Sequence, residues 1–122
     1  MRLPCGIIQE LFERWFASQG LSTVTVPFDG RSDYGPFLDY NIPSGGLFTG
    51  AEHVKSEEEA ELFGGYVGVP YDPCYHRACD TLTNLNLRVL KQNVEAIAVL
   101  VHRLSAEKDL EGLLAGEKSF DF

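Results

Sequence analysis

The first twenty residues carry the clearest amphipathic pattern of the chain. Between residues 7 and 19, large apolar side chains recur at helical spacing and polar side chains occupy the opposite face. Gly20 follows, and glycine commonly ends a helix because it adopts left-handed backbone at little steric cost. The pattern therefore predicts a helix over residues 7–19, with an apolar stripe formed by Ile7, Ile8, Leu11, Phe12, Trp15 and Phe16.

The next segment alternates instead of repeating every three or four residues. Valine and threonine alternate over residues 22–28, a β-branched composition that is typical of a strand, and Pro27 marks the end of that strand. Residues 29–50 are rich in Gly, Pro, Ser, Asp and Asn, which predicts a loop. Within this loop, residues 45–48 (GGLF) predict a short buried strand whose glycines allow close backbone approach.

Two further helices are predicted in the second half. Ser56 and Glu59 have the spacing of a capping box, so a short helix should begin there and end near Gly64. A second loop covers residues 66–83. Residues 85–104 predict a long helix, and the residues after 105 predict a charged tail with a weak or frayed helix. The predicted buried stripe of the long helix is Leu87, Leu90, Val94, Ile97, Val101 and Leu104.

This order of elements is of the α/β class. A stable sheet generally needs three or more strands, and the pattern supplies only one or two. The chain is therefore expected to form one flank of a sandwich whose central sheet lies elsewhere.

Composition narrows the possible partners. The 122 residues include 18 acidic and 10 basic side chains, a formal net charge of −8, and 44% of the residues are hydrophobic. Nucleic acids and anionic membranes are poor partners for such a chain, because binding their phosphates requires a clustered basic face. No apolar run approaches the roughly 20 residues that span a bilayer, and no signal-peptide pattern is found at the N-terminus.

The second loop contains the most reactive group of side chains. His76 lies between Cys74 and Cys79, and Cys5 is the third cysteine. The spacing of Cys74 and Cys79 is compatible with a disulfide, a metal site or two free thiols. A bridge across so short a loop would contribute about 2 kcal/mol in the chain-entropy model. His76 itself has the chemistry of a metal ligand or an acid–base group, and also that of an ordinary surface histidine.

Three segments together resemble one known family. They are FDGRSDYGPF at residues 28–37, IPSGGLFTGA at 42–51 and CYHRACDTLTN at 74–84. In order and separation these segments are similar to the co-catalytic zinc aminopeptidases of the Streptomyces aminopeptidase and aminopeptidase Y type. The resemblance extends over most of the chain, from about residue 7 to residue 104.

The resemblance implies a fold and an activity. Members of this family have an α/β/α sandwich around a mixed sheet, bind two zinc ions and hydrolyse peptides that have a free N-terminal amine. Residues 1–104 would then be the C-terminal portion of the catalytic domain, a partial α/β/α sandwich lacking most of its central sheet. Residues 105–122 would be the charged tail.

The resemblance also implies roles for single residues. His76 corresponds to a zinc ligand, and Tyr75 to the phenol that donates to the oxyanion of the tetrahedral intermediate. Gly30, Arg31 and Phe48 correspond to the wall of the substrate pocket. Cys74 and Cys79 correspond to a short family disulfide, and this pairing implies a secreted or vacuolar protein.

The remaining catalytic groups of the family have no counterpart in this sequence. The other zinc ligands and the glutamate that serves as general base precede the region of resemblance. One histidine cannot hold a zinc pair, since zinc sites use about three or four protein ligands. We therefore expect this chain alone to be an inactive fragment, with the N-terminal part of the catalytic domain as a possible partner. The alternative is a non-catalytic module that keeps the pocket loops and binds a peptide or a partner chain.

Overall fold

The computed structural model describes residues 5–118, except for the side chain of Cys5, so the state of that thiol lies outside the described part. Among the described residues, the β-structure is a single isolated antiparallel bridge between Val54 and Pro70, and no strand extends beyond it. The chain divides into two compact units, one made of the residues up to Gly46 and from Val94 onward, the other of Leu47–Asn93. The helices are α1 (Cys5–Ser18), α2 (Gly35–Asp39), α3 (Glu57–Phe63), α4 (Leu87–Ala106) and α5 (Leu110–Leu114), with one 3-10 turn at Leu82–Asn84.

Helix α1 confirms the prediction from the apolar stripe. Five of its six stripe residues are buried, because the repeat places them on one face: Ile7, Leu11, Phe12, Trp15 and Phe16. The helix ends in a Schellman motif, in which the N–H of Leu21 donates to Phe16 O at 2.9 Å and that of Gly20 donates to Ala17 O at 3.0 Å. Gly20 has a φ of 67°, the left-handed conformation that this motif requires.

The strand predicted over residues 22–28 is not found among the described residues. This segment is irregular, and Val24, Val26 and Phe28 are exposed. A side-chain contact ties it to α1, since Gln9 Nε2 donates to Thr25 Oγ1 at 3.1 Å. A strand needs a second strand to satisfy its backbone groups, and within residues 5–118 none runs beside it. The α/β sandwich therefore stays a prediction.

The second predicted strand, over residues 45–48, is likewise absent from the described fold, and Phe48 is exposed. The expected close approach at Gly45 is nevertheless present. A Cβ atom added there would lie 2.8 Å from Ile8 Cβ, closer than two carbon atoms can pack. Gly45 is thus a site of tight packing in a loop.

The tail contains more structure than its charge predicts. Helix α5 packs against α1, and Leu113 is only 1% exposed. Asp109 caps this helix by accepting from the N–H of Gly112 at 3.0 Å. Lys118 lies 2.7 Å from the other carboxylate oxygen of Asp109, and this contact, followed by the Gly112 bond, lowers the pKa of Asp109. Residues 105–118 therefore include a packed helix.

Helix α4 is in place, but its predicted stripe is not buried within residues 5–118. Its buried residues are Ala96 and Leu100. The predicted stripe lies on another face of the helix, and five of its six members are exposed: Leu87, Leu90, Val94, Ile97 and Val101. The helix is therefore apolar on two faces, and the larger stripe is exposed among the described residues. No helix described in residues 5–118 is long and apolar enough to cross a membrane.

The second compact unit is built from paired backbone segments and a capped helix. Lys55 N–H donates to Val69 O at 3.1 Å, and Tyr71 N–H donates to His53 O at 3.0 Å. Helix α3 has the predicted capping box, with Ser56 and Glu59 each accepting from the other's backbone N–H. These contacts fix the start of the loop that follows Tyr71.

Candidate functional site

The first loop is a tight turn around a tyrosine ring. Tyr34 stacks on Phe28 with ring centroids 3.8 Å apart, and its hydroxyl accepts from the N–H of Gly30 at 2.7 Å. Asp29 Oδ1 accepts from the N–H of Arg31 at 3.1 Å. Gly30 has a φ of 81°, which suits glycine. These bonds hold the backbone of Gly30 and Arg31 at the surface, and both residues are exposed.

The second loop is closed at its centre by the cysteine pair. The Sγ atoms of Cys74 and Cys79 lie 2.14 Å apart, at disulfide-bonding distance, and their Cα atoms are 5.2 Å apart. Inside this closure, Arg77 N–H donates to Cys74 O at 2.9 Å and Asp80 N–H donates to Arg77 O at 3.0 Å. The turn that carries His76 is therefore restrained on both sides.

Tyr75 and His76 form a stacked pair on this turn. Their ring centroids are 3.9 Å apart and the rings are tilted by 17°. His76 has a φ of 55°, so its backbone is left-handed, an uncommon state for a residue with a Cβ. Such a conformation persists only where the surrounding structure enforces it. His76 is exposed and Tyr75 is half-buried, so the imidazole is open to a ligand.

The ends of this loop meet at one carboxylate that the sequence patterns did not single out. Asp72 Oδ1 accepts from the N–H of Cys74 at 2.8 Å and from Asn84 Nδ2 at 2.9 Å. The backbone N–H of Asp72 in turn donates to Ala51 O at 2.8 Å. The sequence signal for this contact was weak, because an aspartate before proline and an asparagine after threonine are common in ordinary loops.

A second polar cluster surrounds Tyr71. Its hydroxyl is buried and has no hydrogen-bond partner within the described residues. Burial, followed by the charge of Glu59, raises the pKa of Tyr71 to about 12. The Glu59 carboxylate acts here by proximity, since no bond of acceptable geometry joins it to the hydroxyl. His53 Nε2 lies 3.4 Å from Glu59 Oε1, and Lys55 Nζ lies 4.9 Å from the centre of the Tyr71 ring.

The described residues do not by themselves complete a metal site. Across residues 5–118, no three His, Cys, Asp or Glu side chains come together where they could share an ion. A zinc ion needs about three or four protein ligands, and His76 offers one imidazole. A zinc centre that used His76 would therefore need ligands from outside this set.

The predicted site residues fall into two groups. Cys74, Tyr75, His76 and Cys79 come together in the second loop, and Phe48 belongs to the same compact unit and is 57% exposed. Gly30 and Arg31 belong to the other unit. That all of them line one substrate pocket stays a prediction.

The chain belongs to Peptidase family M28, whose sequence pattern matches residues 8–101. The match includes both loops and extends to the exposed stripe of α4. Membership of this family defines the chain as part of a peptide hydrolase.

Individual relatives are fungal and bacterial enzymes. The chain is 49% identical over 94 residues to leucine aminopeptidase 2 of Trichophyton rubrum, a match that covers 77% of this chain and 19% of that protein. It is 50% identical over 94 residues to the probable leucine aminopeptidase 2 of Aspergillus oryzae, with the same coverage of each chain, 77% and 19%. It is 41% identical over 100 residues to leupeptin-inactivating enzyme 1 of Streptomyces exfoliatus, covering 81% of this chain and 23% of that enzyme. The chain thus spans about a fifth of the length of these relatives.

Proposed function

We propose that this chain is the C-terminal part of the catalytic domain of a zinc-dependent aminopeptidase, which removes N-terminal residues from peptides. The observation that carries the proposal is the stacked Tyr75–His76 pair, held in a restrained loop inside the region that matches the peptidase family. Relatives named leucine aminopeptidase and leupeptin-inactivating enzyme support the same substrate class, peptides and peptide-like molecules.

Two residues carry the proposed chemistry. His76 contributes its imidazole as one zinc ligand, which its exposure permits. Tyr75 donates a hydrogen bond to the oxyanion that develops on the scissile carbonyl. The exposed Phe48 ring supplies apolar contact to the first residue of the substrate, and Gly30 and Arg31 have a substrate-binding role by the same family resemblance.

By this proposal the chain needs the rest of the catalytic domain. The other zinc ligands and the general base would come from that part, so the chain alone should not hydrolyse peptides even with added zinc. The unpartnered stripe of α4 supports such a partner. Exposed apolar side chains at Leu87, Leu90, Val94, Ile97 and Val101 suit a face that packs on a sheet. The proposed architecture is therefore a partial α/β/α sandwich.

A disulfide between Cys74 and Cys79 and a secreted or vacuolar location are parts of the same proposal. The bonding distance of the two sulfurs supports the bridge, and a stable bridge is typical of oxidising compartments. Mass spectrometry of unreduced peptides should find residues 74 and 79 linked and the Cys5 thiol free. Free thiols at both Cys74 and Cys79 would overturn this part of the proposal.

A graft tests the proposed roles directly. The 94 residues of this chain that align with the Trichophyton rubrum leucine aminopeptidase 2 would replace their counterparts in that enzyme, and amine release from a leucyl anilide would be measured. The graft should be active and lose activity to a chelator. His76→Ala should reduce both zinc content and activity. Tyr75→Phe should retain zinc and lower kcat by roughly 100-fold to 1,000-fold, the usual effect of removing an oxyanion donor.

Matched variants separate these roles from general damage. Tyr66→Phe changes a tyrosine that is 79% exposed, and His53→Ala changes a histidine of the other polar cluster; both should keep activity and zinc. An inactive but folded graft would instead favour the alternative, a non-catalytic peptide-binding or partner-binding module. A graft whose zinc content is unaffected by His76→Ala would refute the ligand assignment.

A further inference from the structure

The loop that carries Tyr75 and His76 is closed twice. The cysteine pair joins residues that are 5 positions apart, whereas the Asp72–Asn84 hydrogen bond of 2.9 Å joins residues that are 12 positions apart. The same Asp72 oxygen also accepts from the N–H of Cys74 at 2.8 Å. Asp72 Oδ1 therefore takes part in both closures: it holds Cys74, where the inner closure begins, and it forms the outer closure with Asn84.

The inner closure does not by itself account for the backbone of His76. It constrains the separation of Cys74 and Cys79, but five-residue spacing leaves several backbone conformations between them. The left-handed state of His76, with φ at 55°, belongs to the turn that the bond from Arg77 N–H to Cys74 O closes at 2.9 Å. Asp72 anchors this turn where it begins, because its bond to the N–H of Cys74 fixes the direction in which the chain enters the turn.

We propose that Asp72 and Asn84 are positioning residues, which hold the Tyr75–His76 stack and the left-handed backbone of His76 in the arrangement that the active site uses. The relevance to catalysis rests on the proposed function; the effect on the loop does not. Both residues would act through the chain on either side of the rings, Asp72 through its bond to the backbone of Cys74 and Asn84 through its bond to Asp72.

Four variants separate the two hydrogen bonds. Asp72→Ala removes both of them. Asp72→Asn keeps an amide oxygen in the same place and should restore most of the effect. Asn84→Ala removes the outer closure, together with the 3.5 Å contact of Asn84 Nδ2 with Asp80 Oδ1, and leaves the bond to Cys74. Asp39→Ala changes an exposed aspartate at the end of α2 and serves as the control.

The primary measurement is NMR of the 122-residue chain in its oxidised form. The ring-current shift of the His76 imidazole protons reports the stack with Tyr75, and the backbone coupling of His76 reports its φ angle. Asp72→Ala and Asn84→Ala should each reduce the ring-current shift by about half or more, since each removes a part-buried hydrogen bond that restrains a strained turn. Asp72→Asn and Asp39→Ala should leave both signals near those of the unaltered chain.

Trp15 fluorescence and far-UV circular dichroism show whether each variant is folded. Should Asp72→Ala fail to fold, Asn84→Ala compared with Asp72→Asn gives the same test. Unaltered His76 signals in a folded Asp72→Ala or Asn84→Ala chain would overturn the inference. In the active graft, Asp72→Ala should lower kcat on the order of 100-fold with KM little changed, the effect of a small displacement of a catalytic group. An inactive graft with the NMR changes present would count against the proposed function alone.

Discussion

Two adjacent residues of α4 distinguish the observed packing from the one that the sequence pattern favours. Leu100 is 2% exposed and Val101 is 60% exposed, although the heptad-like stripe predicts that Val101 is buried. If Leu100 is buried, its truncation to alanine should lower the free energy of unfolding more than truncation of Val101. If the predicted stripe is buried instead, the order should be reversed. The variants Leu100→Ala and Val101→Ala lie one position apart on the same helix, which makes each a control for the other.

The magnitudes follow from burial. Leu100→Ala removes three buried carbons, about 2.4 kcal/mol at 0.8 kcal/mol per carbon, and a residual cavity brings the expected loss to about 3 kcal/mol. Val101→Ala removes carbons that are already in water, and alanine has the better helix propensity, so the free energy of unfolding should change by less than about 0.5 kcal/mol. The expected difference between the variants is therefore about 3 kcal/mol.

Urea denaturation gives both values. Far-UV circular dichroism follows the helices, and fluorescence follows the buried Trp15, the only tryptophan of the chain. A larger loss of stability for Val101→Ala than for Leu100→Ala would refute the observed packing of α4. In the graft, where the rest of a catalytic domain is present, the cost of Val101→Ala should rise to about 1–2 kcal/mol, because the stripe is then expected to be covered.

Three further predictions concern the scaffold. Ser56→Ala removes the hydroxyl of the capping box and should lower the free energy of unfolding by about 1 kcal/mol in the same urea experiment; no change would mean that the box does not stabilise α3. The bond from Ser56 N–H, ahead of weaker contributions, holds the pKa of Glu59 below its usual 4.5. The contribution of the Glu59 carboxylate to folding stability is therefore complete above pH 4.5 and is lost as the pH falls through the lowered pKa. Acid unfolding monitored by circular dichroism should show this pH dependence in the unaltered chain and not in Glu59→Gln. Gly45→Val forces a side chain against Ile8 and should destabilise the chain by about 1–3 kcal/mol, whereas Gly46→Val, with open space around it, should have a much smaller effect.

The predictions that succeeded depend on short-range signals. The stripe of α1, the glycine after it and the Ser56–Glu59 box each lie within one or two helical turns. Their physical causes, helical periodicity and capping of free backbone groups, act at the same range. The bounds of these helices therefore follow closely from the sequence.

The predictions that failed depend on what lies beyond the segment. Residues 22–28 have the composition of a strand, but a strand forms only where another backbone offers its hydrogen bonds. Helix α4 is apolar on two faces, so its periodicity alone cannot select the one that is buried. Helix α2 lies within the predicted loop: its Gly-Pro start has the composition of a loop, although proline is also favoured in the first turn of a helix.

In the candidate site, too, local contacts can be distinguished from contacts that need other parts of the fold. The hydrogen bonds and the ring stack described for the Tyr75–His76 turn come from residues 72–84, and Asp72 is tied to Ala51 in the same compact unit. A left-handed histidine costs about 1–2 kcal/mol, and a local network of one sulfur pair and several hydrogen bonds is sufficient to offset it. The geometry of this loop therefore needs no other part of a catalytic domain.

Metal binding differs, because ligands for a zinc ion must converge from several parts of a fold. Among residues 5–118 that convergence is absent, whereas the turn that carries the proposed ligand His76 is already restrained by local contacts.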